Sequence, residues 1–153
     1  MVVSKWNAFS TIEIVLILGL FAVIVSIFMP FTVKQLSLSK LESASKQMSS
    51  SIYLFQQYAS SAKNDSSYGV AFSSNSYTLF EGDSISTASY TEVYDLPGDA
   101  YINEVNLTNS SSEVVFPKGE FKPDEYGYVR ISDSKSTYRI ILNKEGLIDI
   151  YAE

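Results

Sequence analysis

The sequence predicts an α+β fold: a long amino-terminal (trans)membrane helix that continues as an amphipathic helix and packs on an antiparallel β domain. Three observations predict it. Residues 14–33 form an apolar run without a charged side chain. Residues 38–62 place apolar side chains three or four apart. The rest of the chain alternates short β-branched and aromatic runs with turn residues.

In the run 14–33, about 20 residues at ~1.5 Å rise give ~30 Å, the thickness of a bilayer's hydrocarbon core. Pro30 lies inside it and has no N–H, which leaves the Ser26 carbonyl without its helical partner and predicts a kink or a loosened turn. Gly19 reads as a close-packing position. Glu13 stands at the edge of the run. A carboxylate carried to the bilayer centre costs roughly 2.5 to 3.5 kcal/mol on insertion scales, so it needs an interface or a cationic partner. Glu13 is therefore the leading candidate for a functional side chain. A removable secretory signal fits less well, because its apolar region spans only about 7 to 15 residues. Lys34, Lys40 and Lys46 follow the run and only Lys5 precedes it, so the positive-inside bias alone does not put the amino terminus in the cytoplasm.

Beyond the run, Leu38, Leu41, Ala44, Met48, Ile52, Phe55, Ala59 and Ala62 draw one apolar stripe along a helix. Lys40, Glu42, Lys46, Gln47, Gln56 and the serines are expected on the water-facing side. Lys63-Asn64-Asp65-Ser66-Ser67 ends the helix, since short polar side chains compete for the backbone. Strands are predicted over 68–73, 77–81, 90–94, 100–107, 113–116, 127–132, 137–142 and 147–151. Turns separate them at Ser74-Asn75-Ser76, Leu96-Pro97-Gly98-Asp99, Pro117-Lys118-Gly119, Asp133-Ser134-Lys135 and Asn143-Lys144-Glu145-Gly146, and 106–112 reads as an exposed loop. Eleven Tyr and nine Phe suit such sheets.

Charge is unevenly spread. Residues 1–46 carry four Lys against two Glu, net +2, and residues 47–153 carry seven Lys or Arg against fifteen acids, net −8. An acidic domain repels phosphate backbones, so no direct nucleic-acid binding is expected. The absence of Cys leaves the redox compartment open. With no His, no Cys, no G-x-S-x-G and no glycine-rich phosphate loop, the chain reads as a non-enzyme without catalytic residues, cofactor or metal. Glu81 with Asp83, and Asp124 with Glu125, could lend oxygens to Ca²⁺, yet neither shows D-x-D-x-D-G spacing, and both read as solvated acidic loops.

Lys5-Trp6-Asn7-Ala8, then Phe9-Ser10-Thr11-Ile12-Glu13, then the apolar run, resembles the prepilin processing signal of type IV pilins and of the pseudopilins of type II secretion. Ala8 stands where that signal usually has Gly, Thr11 where it has Leu, and the leader carries a single Lys. The pattern of Tyr68-Gly69-Val70-Ala71-Phe72, Tyr77-Thr78-Leu79-Phe80, Val114-Val115-Phe116-Pro117-Lys118-Gly119, Tyr138-Arg139-Ile140-Ile141-Leu142 and Glu145-Gly146-Leu147-Ile148 is similar to the H-type (GspH/FimT-like) minor pseudopilins.

The resemblance implies a pilin-like fold, a long helix joined to a two-sheet β domain. It implies cleavage by a prepilin peptidase between Ala8 and Phe9, N-methylation at Phe9, and assembly through Glu13, paired with the amino terminus of an adjacent subunit. The implied partners are other pilin or pseudopilin subunits, the prepilin peptidase, an inner-membrane platform protein and an assembly ATPase. The implied location is the inner membrane, single-pass, amino terminus cytoplasmic, before incorporation into a pilus or pseudopilus. The expected organisation is leader 1–8, transmembrane and filament-core helix 9–33, amphipathic helix 34–63 and extracytoplasmic β domain 64–153. A different class of function fits the same residues: a single-span anchored binding or adhesion domain that never polymerises.

Overall fold

The computed structural model describes residues 10–153, and residues 27–39 by their backbone only. The leader 1–8 and the expected cleavage and methylation positions Ala8 and Phe9 lie outside the described residues. The chain divides into two compact units between Ser37 and Leu38. A single α-helix, α1, is assigned over Thr11–Ser60.

The expectation of a membrane-spanning helix is corrected here. Among the described residues no helix is long and apolar enough to cross a membrane. Residues 12–25 are apolar apart from Glu13, the one charge among them. From Leu41 onward one apolar face of α1, with Leu41, Met48, Ile52, Phe55 and Ala59, lies in a protein core instead.

In the second unit, Leu41, Ala44, Met48, Ile52, Phe55 and Ala59 are buried, at 7 % exposure or less. The face follows from spacings of three and four, which stack side chains on one side of a helix. Two residues expected in water share it: Ser45 and Gln56 are fully buried. Ser45 Oγ donates to the Leu41 carbonyl at 2.9 Å. Gln56 Nε2 donates to the carbonyls of Phe121 (2.8 Å) and Gly146 (2.7 Å). Those bonds tie two loops, far apart in sequence, to the helix.

α1 stops at Ser60, before the expected 63, because the backbone turns left-handed at Ala62 (φ 49°) and again at Asn64 (φ 54°). Ala62 N–H still reaches the Ala59 carbonyl at 2.8 Å.

Eight strands follow: β1 Tyr68–Phe72, β2 Ser76–Glu81, β3 Tyr90–Asp95, β4 Tyr101–Leu107, β5 Glu113–Phe116, β6 Gly127–Ser132, β7 Thr137–Leu142 and β8 Ile148–Ala152. They form two antiparallel four-stranded sheets, ordered β3-β2-β1-β5 and β4-β6-β7-β8. Ser73 N–H donates to the Ser76 carbonyl at 2.9 Å and closes the β1–β2 hairpin. The expected loop 106–112 is shorter than read, since Asn106 and Leu107 belong to β4 and Thr108–Ser110 form a 3-10 turn.

The inner faces of both sheets join the helix stripe in one core, with Val70, Leu79, Val114 and Phe116 from the first sheet and Val129, Ile131, Ile140 and Leu142 from the second. β3 is an edge strand, and every residue in it except half-buried Tyr94 is exposed.

Two glycines are fixed by close approach. A side chain at Gly69 would strike the Phe80 ring and come within 2.6 Å of the Val114 carbonyl. At Gly146 (φ +85°) it would meet Gln56 Nε2 and lie 2.5 Å from the Phe121 carbonyl.

Two substitutions test the Gln56 tie by denaturant unfolding of the full chain. Gln56→Leu removes the donor from the buried Gly146 carbonyl and the part-buried Phe121 carbonyl and is expected to cost about 1 to 3 kcal/mol. Gly146→Ala adds left-handed strain to the collision and is expected to cost at least about 2 kcal/mol. A loss under ~0.5 kcal/mol for both, the level of an ordinary surface change, would refute the tie.

Candidate functional site

In the first unit the described side chains leave an apolar helix uncovered. Eleven of them, Ile12, Ile14, Val15, Leu16, Ile17, Leu18, Leu20, Phe21, Val23, Ile24 and Val25, are 44 to 70 % exposed. Ile14 to Leu18 are consecutive, so at 100° per residue they point to every side of the helix. Burying an exposed Val, Leu, Ile or Phe contributes about 1.5 to 3 kcal/mol, so covering this set is worth on the order of 15 to 30 kcal/mol. Association costs about 4 to 15 kcal/mol in lost rigid-body freedom, which the burial exceeds. A helix apolar all round is a buried helix. This one requires a cover outside its own described residues.

Glu13 lies in the first turn of α1 and is exposed. Its N–H donates to the Ser10 carbonyl at 3.0 Å, where the helix begins. At that end the backbone N–H groups carry positive partial charge, worth about 0.3 to 1 kcal/mol to a carboxylate. Apolar neighbours on both sides, Ile12 and Ile14, mean that any cover over them also strips water from Glu13. Pro30 falls within α1, in the part described by backbone only.

Glu81 Oε2 accepts from Asn64 Nδ2 at 3.2 Å and lines a groove between α1 and the first sheet. Burial, then Glu120 and Asp83, push the Asp124 carboxyl above the ordinary range. Burial, then Asp124, does the same to Glu125, whose Oε2 is buried and makes no hydrogen bond among the described residues. Among the described residues no group of three or more His, Cys, Asp and Glu could hold a metal ion.

Sequence reasoning passed over two further clusters. On the outer face of the second sheet, Arg130 and Arg139 sit opposite each other in register. Glu104 pairs with Arg130, and Glu153 bridges Arg130 and Arg139. The Tyr128 hydroxyl donates to Glu104 at 2.7 Å and, with Arg130, holds that carboxyl below the usual range. This is a sheet-face ion network, stabilising register rather than offering a site.

The other cluster lines a cavity of about 360 Å³ in the second unit, walled by Ser51, Leu54, Phe55 and Tyr58 of α1 and floored by Tyr90, Glu92 and Tyr94 of β3. The signal for the floor was the alternation Tyr90-x-Glu92-x-Tyr94, which puts three side chains on one face of a strand.

Comparison with protein-family models, with curated proteins and with solved structures gives no match.

The raised carboxyl of Glu125 makes a pH-dependent prediction. Its ionised form is disfavoured in the folded chain, so the penalty is present above the raised folded value and is relieved below the ordinary glutamate value of about 4.3. Glu125→Gln is expected to raise the thermal midpoint at pH 7 and to lose that advantage near pH 4. A variant less stable than the parent at pH 7 would contradict the assignment.

Proposed function

We propose that this chain is a structural subunit, a minor pseudopilin or pilin, of a type II secretion pseudopilus or a type IV pilus. In this reading a prepilin peptidase cuts between Ala8 and Phe9, the new amino terminus at Phe9 is methylated, and the subunit is added to a helical filament through its amino-terminal helix. The precursor waits at the inner membrane with its β unit on the extracytoplasmic side. A platform protein and an assembly ATPase drive its incorporation.

The observation that carries the reading is the all-round exposed apolar surface of α1 with one carboxylate in its first turn. Like helices from neighbouring subunits would cover that surface, and the cover would leave Glu13 poorly hydrated. A freshly exposed α-amino group on an adjacent subunit supplies the compensating charge. The remaining surface of the subunit is then the outward face of the filament. Its work is mechanical, and the reading assigns it no catalytic step.

Two measurements test it in cells that make the chain natively. Mass spectrometry of the mature protein is expected to give methylated Phe9 as the first residue; a chain still beginning at Met1 beside an active peptidase rules the reading out. Glu13→Ala is expected to accumulate to parental levels while its share of the sheared filament fraction falls about tenfold or more, the effect of losing ~1.4 kcal/mol or more of pairing. Equal incorporation of the variant and the parent would show that no such ion pair operates.

A further inference from the structure

The groove between α1 and β3 is built from aromatic faces and carboxylates. Tyr90, Glu92 and Tyr94 project from one face of β3, beside Leu79 and Glu81 of β2, and the flank of α1 closes the other side with Leu54 and Tyr58. The floor is set by hydrogen bonds: the Tyr94 hydroxyl donates to Glu92 Oε1 at 2.8 Å and the Tyr90 hydroxyl to Oε2 at 3.2 Å. Tyr94 also stacks on buried Tyr77, with ring centroids 5.2 Å apart. The wall is equally fixed, because Phe55, Tyr58 and Tyr68 form a triangle of rings with centroids 5.4 to 5.7 Å apart. A carboxylate offers about four acceptor positions, and one tyrosine on each oxygen leaves Glu92 capacity for a further donor.

One cation already uses the wall. Lys63 Nζ lies over the Tyr58 ring, 3.5 Å from its centroid, and Lys63 is itself exposed. Its ammonium demonstrates that this ring presents a face suited to a positive charge. It also occupies the place that an incoming cation would take.

We propose that this groove receives a lysine or arginine side chain of a partner protein, with Tyr58 and Tyr90 offering ring faces, Glu92 and Glu81 accepting the charged hydrogen bonds, and Lys63 as the built-in competitor. Charge complementarity selects the occupant. The groove holds two carboxylates against one ammonium, and it belongs to a stretch, residues 47–153, of net charge −8. An anionic ligand would meet both carboxylates, and an aliphatic one would take water from them without supplying a compensating charge. An ammonium or guanidinium satisfies rings and carboxylates together. The inference does not depend on polymerisation, since a chain that never assembled would carry the same groove.

The test is an NMR titration of the full-length chain in non-ionic detergent with two blocked peptides, acetyl-Gly-Lys-Gly-amide and its norleucine counterpart, which has the same aliphatic stem without the charge. The lysine peptide is expected to give saturable shifts confined to the groove, at Leu54, Tyr58, Lys63, Tyr90, Glu92 and Tyr94, and the norleucine peptide none. Glu92→Gln and Tyr90→Leu, both at exposed positions, are each expected to weaken binding about 3- to 10-fold. Lys63→Met should tighten it by about the same factor through removal of the competitor. Lys144→Met makes the same charge change away from the groove and should leave affinity unchanged. Equal shifts with norleucine, unsaturable shifts spread over the acidic surface, or a Lys144→Met effect as large as that of Lys63→Met would each overturn the proposal.

Discussion

One buried helix face organises everything after Leu38. The two sheets share no strand, so no strand ladder runs from one into the other. What they share is an apolar interior, and Leu41, Met48, Ile52, Phe55 and Ala59 of α1 lie in it beside residues of both sheets. Each large side chain there contributes about 1.5 to 3 kcal/mol through removal from water, so the helix face supplies a large part of the unit's cohesion. Gln56 adds direction to that cohesion. Its amide fixes the 121 and 146 loops at one height on the helix, which burial alone, being non-directional, would not do.

The same helix label covers two physical situations. In the second unit the apolar residues of α1 are interrupted by Glu42, Lys46 and Gln47, and a stripe results, satisfied by the unit's own sheets. In the first unit the described apolar residues run from Ile14 to Val25 without a charged side chain, and the surface is satisfied by nothing within those residues. That contrast separates folding from assembly: one set of side chains closes a core, and the other waits for company. Glu13 marks where assembly must also solve a charge problem.

Much of the β architecture was legible. Period-two alternation and turn residues put β5, β6 and β7 at the residues where the structure has them, and the other strands within a residue at either end. Three kinds of information were not. The length of an apolar run says nothing of which side chains later find protein neighbours, and the expected spanning helix did not survive among the described residues. Residue chemistry misled at Ser45 and Gln56: both keep the three-and-four spacing of the stripe, as in Leu41, Ser45, Met48, Ile52, Gln56, and the spacing, not the polarity, told where they point. The groove needed tertiary structure, because Tyr58, Lys63 and Glu92 are brought together only when α1 lies across the first sheet. Glu13 was the part of the candidate site readable in advance, since a lone acid beside apolar residues is a local pattern.

The edge formed by β3 has a consequence for how the molecule behaves when crowded. An open strand edge is a template on which another chain can extend the sheet, the usual start of disordered clumping. Here Glu92 and Asp95 lie an odd number of residues apart, so they stand on opposite faces of the strand and both faces carry a negative charge. Two such edges paired with Glu92 opposite Glu92 or opposite Asp95 would set acid against acid, and the like charges would push them apart. The strand stays open without inviting its own kind, a protection against runaway stacking written into two side chains.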